Sequence, residues 1–427
     1  MSLNSLPLHV LLAIAYTPCK SLRTNELVLT EKNKMTQTKR EIQTEPATPK
    51  QNARIEVADA LRGVAVVGII LFHAVECFNI FYQDVRFSWP CDDGVYFVCQ
   101  QLLSGKMYGI FALLFGFTFF IMRDNQSRRG RDFSGRFAWR MVLLFLIGMA
   151  NIAVYDGDIL TTYALCALVL IPCGYLSNRW LWVVAIILFV QPYELWQWLS
   201  GSRMESDWIW SSYAMLSQHH QQSTFWQNVV ANVQYAFPAN LGYFAWTGRL
   251  TQIPALFLLG LLLGRYRLLC NEGRHLRLWR TVLCVSVPLA LTGMVLLASL
   301  PEPASFTPVA AWLQPVTNLA TMMAETAAVV LAWYASARFR RLLAPVCTFG
   351  RMSLSNYLLQ SLLGCMLFYG WGFALYRQLG HTCSLLTGVA IVAVQLIASC
   401  LWARRYTRGP AESLWRIATW RPFAQKR

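Results

Sequence analysis

ADALRGVAVVGIILFHAVE, residues 58–76, decides how this chain folds. From Leu61 to Phe72 it is apolar or glycine, apart from Arg62 near its start. A bilayer core of about 30 Å needs roughly 20 such residues wound as a helix. Arg62 stands at one end, where a long side chain can snorkel to the membrane surface at little cost. His73 lies eleven residues on, about 16 Å up the helix at the 1.5 Å rise per residue, and so near mid-bilayer. Glu76 follows one turn later, at i+3, on the same helix face. Ionisable groups inside a span cost about 2.5–3.5 kcal/mol on insertion scales, so this pair is the first place to look for chemistry.

Similar stretches recur along the chain, near 61–81, 96–122, 138–155, 159–176, 180–198, 250–269, 281–300, 310–335, 353–375 and 383–402. The expected fold is all-α, a polytopic transmembrane helix bundle of about ten spans. An even number puts both termini on one side, and the basic residues say which. Arg123, Arg128, Arg129, Arg131, Arg136 and Arg140 follow the second stretch, and Arg265, Arg267, Arg274, Arg277 and Arg280 follow the sixth. Arg338, Arg340, Arg341 and Arg351 follow the eighth; Arg404, Arg405 and Arg408 follow the last. The alternate loops are neutral or acidic, with Asp84, Asp92, Asp93, Asp156, Asp158 and Glu302. Because cytoplasmic loops collect Lys and Arg, the N and C termini are expected in the cytoplasm.

The stretch FWQNVVANVQYAFPANLGYFAWTG, 225–248, is apolar enough to resemble a further span, but it carries Gln227, Asn228, Asn232, Gln234, Asn240 and Pro238. Counting it would move the Arg265–Arg280 cluster outside. With the polar loop 199–224 it is read instead as an interfacial amphipathic segment on the outer face. The resulting divisions are a disordered cytoplasmic tail at 1–53, with Met35 offering a later start; an N-terminal five-helix bundle at 54–198; the outer-face segment at 199–249; a C-terminal five-helix region at 250–420; and a basic tail at 421–427.

Composition agrees. Hydrophobic residues make up 56% and charged residues 14%, where soluble domains carry about 25% charged. Seventeen Trp suit two lipid–water interfaces. A net charge of +16 suggests nucleic acid in a soluble protein, but here the cations sit in short clusters between apolar runs, so no nucleic-acid partner is expected and membrane lipid is. The 12 Cys form no CxxC pair and no Cys/His metal spacing, so no metal site is expected.

The candidate site residues follow from polarity in apolar surroundings. His73 with Glu76 one turn away has the pattern of a general base and its orienting carboxylate; hydrogen bonding of His73 to a neighbouring helix, with Glu76 reaching the interface, is the plainer alternative. Lys106, in LLSGKMYGIFALLFGF, is a lone cation near the outer third of the second span, placed to pair with Glu76 or to meet an anionic substrate. In YDGDIL, 155–160, Asp158 suits a helix cap, and Asp156 either caps or faces a site. Asn356 and Gln360 share a face at i,i+4 in the polar half of the ninth span, which turns toward another helix or a wet cavity. Gly109, Gly116, Gly260, Gly264, Gly364 and Gly370 read as close helix contacts.

These residues resemble a known family. ADALRGVAVVGIILFH (58–73), FALLFGFTFF (111–120) with YDGDIL, GRMSLSNYLLQSLLGCMLFYGWG (350–372) and ARRYTRGPAESLWRIATW (403–420) are similar to the YeiB family of bacterial inner-membrane proteins, from Arg54 to about Trp420. The first half also resembles the transmembrane acyltransferase superfamily, including the heparan-glucosaminide acetyltransferases, some of whose members carry an Arg and a His separated as Arg62 and His73 are. The glucosaminide enzymes have a His in the loop after the first span, and residues 82–100 contain none. The resemblance implies acyl transfer, with acetyl-CoA as donor and an envelope saccharide or small molecule as acceptor. His73 would be base or acyl carrier, Arg62 and the inner basic loops would attract the CoA phosphates, and Lys106, Asp156, Asn356 and Gln360 would line the substrate path. A transporter of a small solute and a non-catalytic envelope protein stay open as alternatives, and a homodimer is compatible with the Gly- and Trp-rich spans.

Overall fold

A computed structural model describes residues 55–80, 85–200, 206–270, 273–300 and 308–420. The expected tails at 1–53 and 421–427 lie outside these. The described residues fall in one compact unit, 52–427. They are all-α; the only strand-like pairing among them is an isolated bridge between Phe87 and Leu379.

Six helices are long and apolar enough to cross a membrane: α1 (Glu56–Val75), α2 with α3 (Asp92–Leu102 and Lys106–Ser127), α4 (Ser134–Ile152), α11 (Leu276–Ala298), α12 (Pro308–Ala335) and α15 (His381–Ala403). Four more apolar helices match the expected stretches but are shorter: α5 (Leu160–Cys173), α6 (Asn178–Phe189), α10 (Arg249–Arg265) and α14 (Ser353–Phe368). The remaining helices are α7 (Pro192–Ser200), α8 (Asp207–Gln222), α9 (Phe225–Trp246), α13 (Ala337–Arg351) and α16 (Pro410–Trp420).

The helix that opened the sequence reading is the hub. α1 packs against α3, α13, α14 and α15, and most of its apolar length is buried, whereas α11 shows nearly all of its apolar surface outward. That contrast is expected where lipid, not water, is the outer solvent. α3 and α10 cross so closely that a Cβ on Gly116 would strike the Phe257 carbonyl, and one on Gly260 the Leu113 carbonyl. Glycine is required at this crossing because backbone meets backbone.

The segment 199–249 is more ordered than a loop with one amphipathic stretch. Its polar part is largely the helix α8, and α9 meets α10 at 76°, so it is not a straight extension of that helix. The turn between them needs Gly248, whose φ is +70°. The amphipathicity of α9 is inverted relative to a helix lying at a water surface. Asn228, Asn232 and Asn240 are buried, while Trp226, Val230 and Val233 are exposed. Two of these amides have partners inside: Asn232 Oδ1 lies 3.0 Å from His220 Nε2, and Asn240 Oδ1 accepts from the Tyr213 hydroxyl at 2.8 Å while its amide donates to the Asp156 carbonyl; the Asn228 side chain has no hydrogen-bond partner among the described residues.

Basic residues serve as fasteners at the opposite end of α1. Arg265 donates to the Leu176 and Gly174 carbonyls and to Asn178, satisfying groups past the end of α5. Arg140 lies 3.5 Å over the Trp415 ring, and Arg136 5.0 Å over Trp420, tying α16 to α4. Glu412 of α16 accepts the Leu354 and Ser355 N–H groups at 2.7 and 3.0 Å, placing a carboxylate on the first turn of α14. This links the third and fourth stretches of sequence that carried the family resemblance.

Candidate active site

α1 ends in three successive non-glycine residues in the left-handed region, Cys77, Phe78 and Asn79, with φ of 49°, 54° and 69°. Such a run is costly and holds only where the surroundings impose it. Here Phe78 is buried against Tyr155 and Phe368, the Tyr369 hydroxyl donates to the Phe78 carbonyl at 3.1 Å, and the Asn79 amide donates to Asp156 at 3.2 Å. The turn closes one side of a cavity of about 320 Å³.

The cavity is lined by His73, Glu76 and Asn79 from the end of α1; Gln100 of α2; Gly105 and Tyr108 at the start of α3; and Tyr155 and Gly157 of the 153–159 turn. Trp210 and Tyr213 of α8, Asn240 and Tyr243 of α9, Arg249 of α10 and Tyr357 of α14 complete it. His73, Glu76 and Arg249 are surrounded by protein yet keep some exposed surface, because they face this space. His73 Nδ1 lies 3.3 Å from the Gln360 side chain, and its ring packs 5.1 Å from Tyr155 and 5.8 Å from Phe78, centroid to centroid. With Nδ1–H donating to Gln360 Oε1, Nε2 keeps its lone pair. Glu76 Oε1 accepts from the Gln100 amide at 3.1 Å. A basic nitrogen, a carboxylate, a guanidinium and several phenols thus meet in one small space. This arrangement can move a proton and stabilise charge on a carbonyl oxygen.

The sequence candidates separate into three groups. His73 and Glu76 line the cavity, and Gln360 reaches it through His73. Asp156 stands just behind: it is buried, accepts from Asn79 and from the Tyr369 hydroxyl at 3.3 Å, and interacts electrostatically with His220, whose ring stacks 4.2 Å from Tyr369. Burial pushes the Asp156 carboxyl up and the His220 imidazole down, and each is opposed by the charge of the other. Arg62, Lys106 and Asn356 lie outside the cavity lining. Arg62 is bound within the bundle to Asp59 at 2.8 Å and to Thr118 of α3 at 2.6 Å. Lys106 is buried and donates to the Gln100 carbonyl at 3.0 Å. Among the described residues it forms no ion pair with Glu76, and the carboxylate that bears on its charge is Glu325 of α12, a helix packed against α3. Asn356 is committed to helix packing, donating to the Phe349 carbonyl and accepting from Ser399, both at 3.1 Å. Asp158 caps α5 as expected, accepting the Thr161 N–H at 3.1 Å.

Sequence reasoning missed Arg249, Glu325 and the phenol lining. Arg249 carried a signal: it is a cation beside a span on the side that the charge pattern otherwise leaves neutral or acidic. Glu325 carried one too, as a carboxylate inside the eighth apolar stretch.

Two family models match successive parts of the chain, with residues 224–262 between them. Residues 54–223 match heparan-alpha-glucosaminide N-acetyltransferase, catalytic, and residues 263–422 match a family described as protein of unknown function (DUF418). YeiB of Escherichia coli (strain K12) is 27% identical over 85% of this chain and 95% of its own length. The resemblance to the YeiB family holds. YxaH of Bacillus subtilis (strain 168) is 28% identical over 88% of this chain and 97% of its own length, and a 39.9 kDa protein from the amylase 3' region of Bacillus acidopullulyticus is 24% identical over 86% and 94%. The cavity draws on both matched regions and on the segment between them. His73, Glu76 and Tyr155 come from the acetyltransferase-like part, Tyr357 and Gln360 from the other, and Asn240, Tyr243 and Arg249 from the gap.

Proposed function

We propose that this protein is a membrane-embedded acyltransferase that moves an acyl group, acetyl from acetyl-CoA, to an acceptor on the outer side of a bacterial inner membrane. The observation that carries the reading is His73 at the cavity, held by Gln360, in the region similar to an acetyltransferase catalytic region. Ten spans with both termini cytoplasmic put the Arg62 end of α1 inside and the cavity in the outer half.

In the step proposed, the acceptor hydroxyl or amine attacks the thioester carbonyl carbon as its proton passes to His73 Nε2. The C–S bond breaks, and the leaving thiolate takes that proton from the imidazolium. Phenols lining the cavity supply donors for the carbonyl oxygen as charge builds on it. A space of about 320 Å³ is at the lower end for small-molecule sites. It suits the reacting groups, with the bulk of donor and acceptor outside it. Arg62 is committed to Asp59 and Thr118, so attraction of the CoA phosphates falls to the inner basic loops.

The test is saturable binding of acetyl-CoA to the full chain in detergent, followed by transfer of labelled acetyl in vesicles. Absence of saturable binding at millimolar ligand overturns the proposal. Orientation is tested at Cys91, which is exposed. An impermeant maleimide should label it from outside intact spheroplasts, and labelling only after lysis reverses the topology.

A further inference from the structure

Arg249 is the first residue of α10, set by the left-handed turn at Gly248. Its guanidinium lies 5.2 Å from the Tyr108 ring centre, 4.9 Å from Tyr243 and 5.7 Å from Phe244. Three aromatic rings therefore fix its plane and strip it of much of its water. It lines the cavity, yet among the described residues it donates no hydrogen bond and forms no ion pair. Two acceptors that line the same cavity are turned to other donors: Glu76 Oε1 to Gln100 and Asn240 Oδ1 to Tyr213. The Glu76 carboxylate bears on Arg249 electrostatically, without direct contact to its N–H groups. Five donors held in a rigid fork, facing the cavity and unpaired with protein, are available to whatever enters it.

We propose that Arg249 is an oxyanion-binding residue and that the ligand of this cavity carries a carboxylate or a phosphate, held by two parallel N–H···O bonds. The planar fork matches both groups, and the positive end of α10 adds to the field. On the acyl-transfer reading, on whose cavity this inference rests, the acceptor is then anionic, with its charged end on Arg249 and its nucleophile toward His73.

The experiment needs no acyl transfer. The full chain in nanodiscs of zwitterionic lipid is titrated with succinate and with inorganic phosphate, following tryptophan fluorescence, since Trp210 lines the cavity. Succinamide is the neutral control. Wild type should bind at least one of the two anions saturably, and which one distinguishes a carboxylate ligand from a phosphate ligand. Arg249→Lys keeps the charge and loses the fork, so affinity should fall about tenfold, and Arg249→Met should abolish saturation. If Arg249→Met does not fold, the comparison rests on Arg249→Lys. No saturable binding of either anion, equal affinity in wild type and Arg249→Lys, or succinamide binding as tightly as succinate would each overturn the inference. Anion binding through Arg249 without acetyl transfer keeps this inference and removes the acyltransferase reading; acetyl transfer that is indifferent to Arg249 does the reverse.

Discussion

Two polar clusters lie within the apolar bundle, and they behave differently. Around α14, α15 and α16, polar groups are matched to one another: Asn356 with Phe349 and Ser399, Glu412 with the first turn of α14. Around the end of α1, His73, Glu76 and Arg249 converge on a cavity without closing on each other. Both clusters are expensive to keep away from water, and only the first is repaid within the protein. In a membrane protein, then, the presence of polar groups in a span does not mark a functional site. Unused bonding capacity facing a space does.

The sharpest way to break this contrast is to remove the proposed base. His73→Asn should lower acetyl transfer by about 10²–10⁴-fold, the usual worth of general acid–base catalysis, with little change in melting temperature. Unchanged transfer in that variant takes His73 out of the mechanism and leaves the fold untouched. The converse change lies in the matched cluster. Glu412→Ala strips two N–H groups of a charged acceptor and should cost about 2–3 kcal/mol of stability, read as a lower denaturation midpoint. Residual folded protein should keep its acetyl-CoA affinity. A loss of affinity as large as the loss of stability would mean that the two clusters are one.

A third test uses the pH. Asp158 is fully buried between α4 and α5, accepts from Asn151 at 2.9 Å and from the Thr161 N–H, and burial pushes its carboxyl up to about 7. A carboxyl raised on folding favours the folded state when protonated. Its contribution is therefore fully present below the ordinary carboxylate value near 4 and is lost as the pH rises through about 7. Asp158→Asn is neutral throughout. Its melting temperature relative to wild type should rise between pH 4 and pH 8, and a difference that is flat with pH would show that Asp158 is ionised in the fold at all these values.

How much of this was legible beforehand depended on the range of the interaction. The first span, expected near 61–81 and found as Glu56–Val75, and the cap at Asp158 rest on residues within a few positions of each other, and sequence spacing carries that information directly. The Gly116–Gly260 crossing was half legible: glycines in spans announce close contact but not with whom. The cavity was legible only at one wall. His73 and Glu76 share a helix face, whereas Arg249 reaches them through the turn at Gly248 and the packing of α10 on α3, which no local pattern encodes. Lys106 shows the same limit in reverse. A lone cation near Glu76 along the membrane normal looks like its partner, but the side chain donates to the Gln100 carbonyl and the carboxylate that bears on its charge is Glu325.

Asn356 and Gln360 put that limit to its smallest test, because sequence treats them as equivalent. They lie one turn apart on the same helix, both buried. Yet Gln360 serves the open cluster through His73, and Asn356 serves the closed one. Gln360→Met, similar in volume, removes the hydrogen bond that holds the imidazole, and acetyl transfer should fall by about tenfold, the equivalent of roughly 1.4 kcal/mol. Stability should change little, since cavity-facing His73 can be answered by water. Asn356→Leu removes the side-chain donor from the Phe349 carbonyl, which keeps the Met352 N–H, and takes away the acceptor of the Ser399 hydroxyl; it should cost about 1–3 kcal/mol of stability with transfer per folded molecule unchanged. Opposite outcomes from neighbours four residues apart would show that the boundary between the two clusters runs between Asn356 and Gln360. Equal losses of both quantities in both variants would erase it.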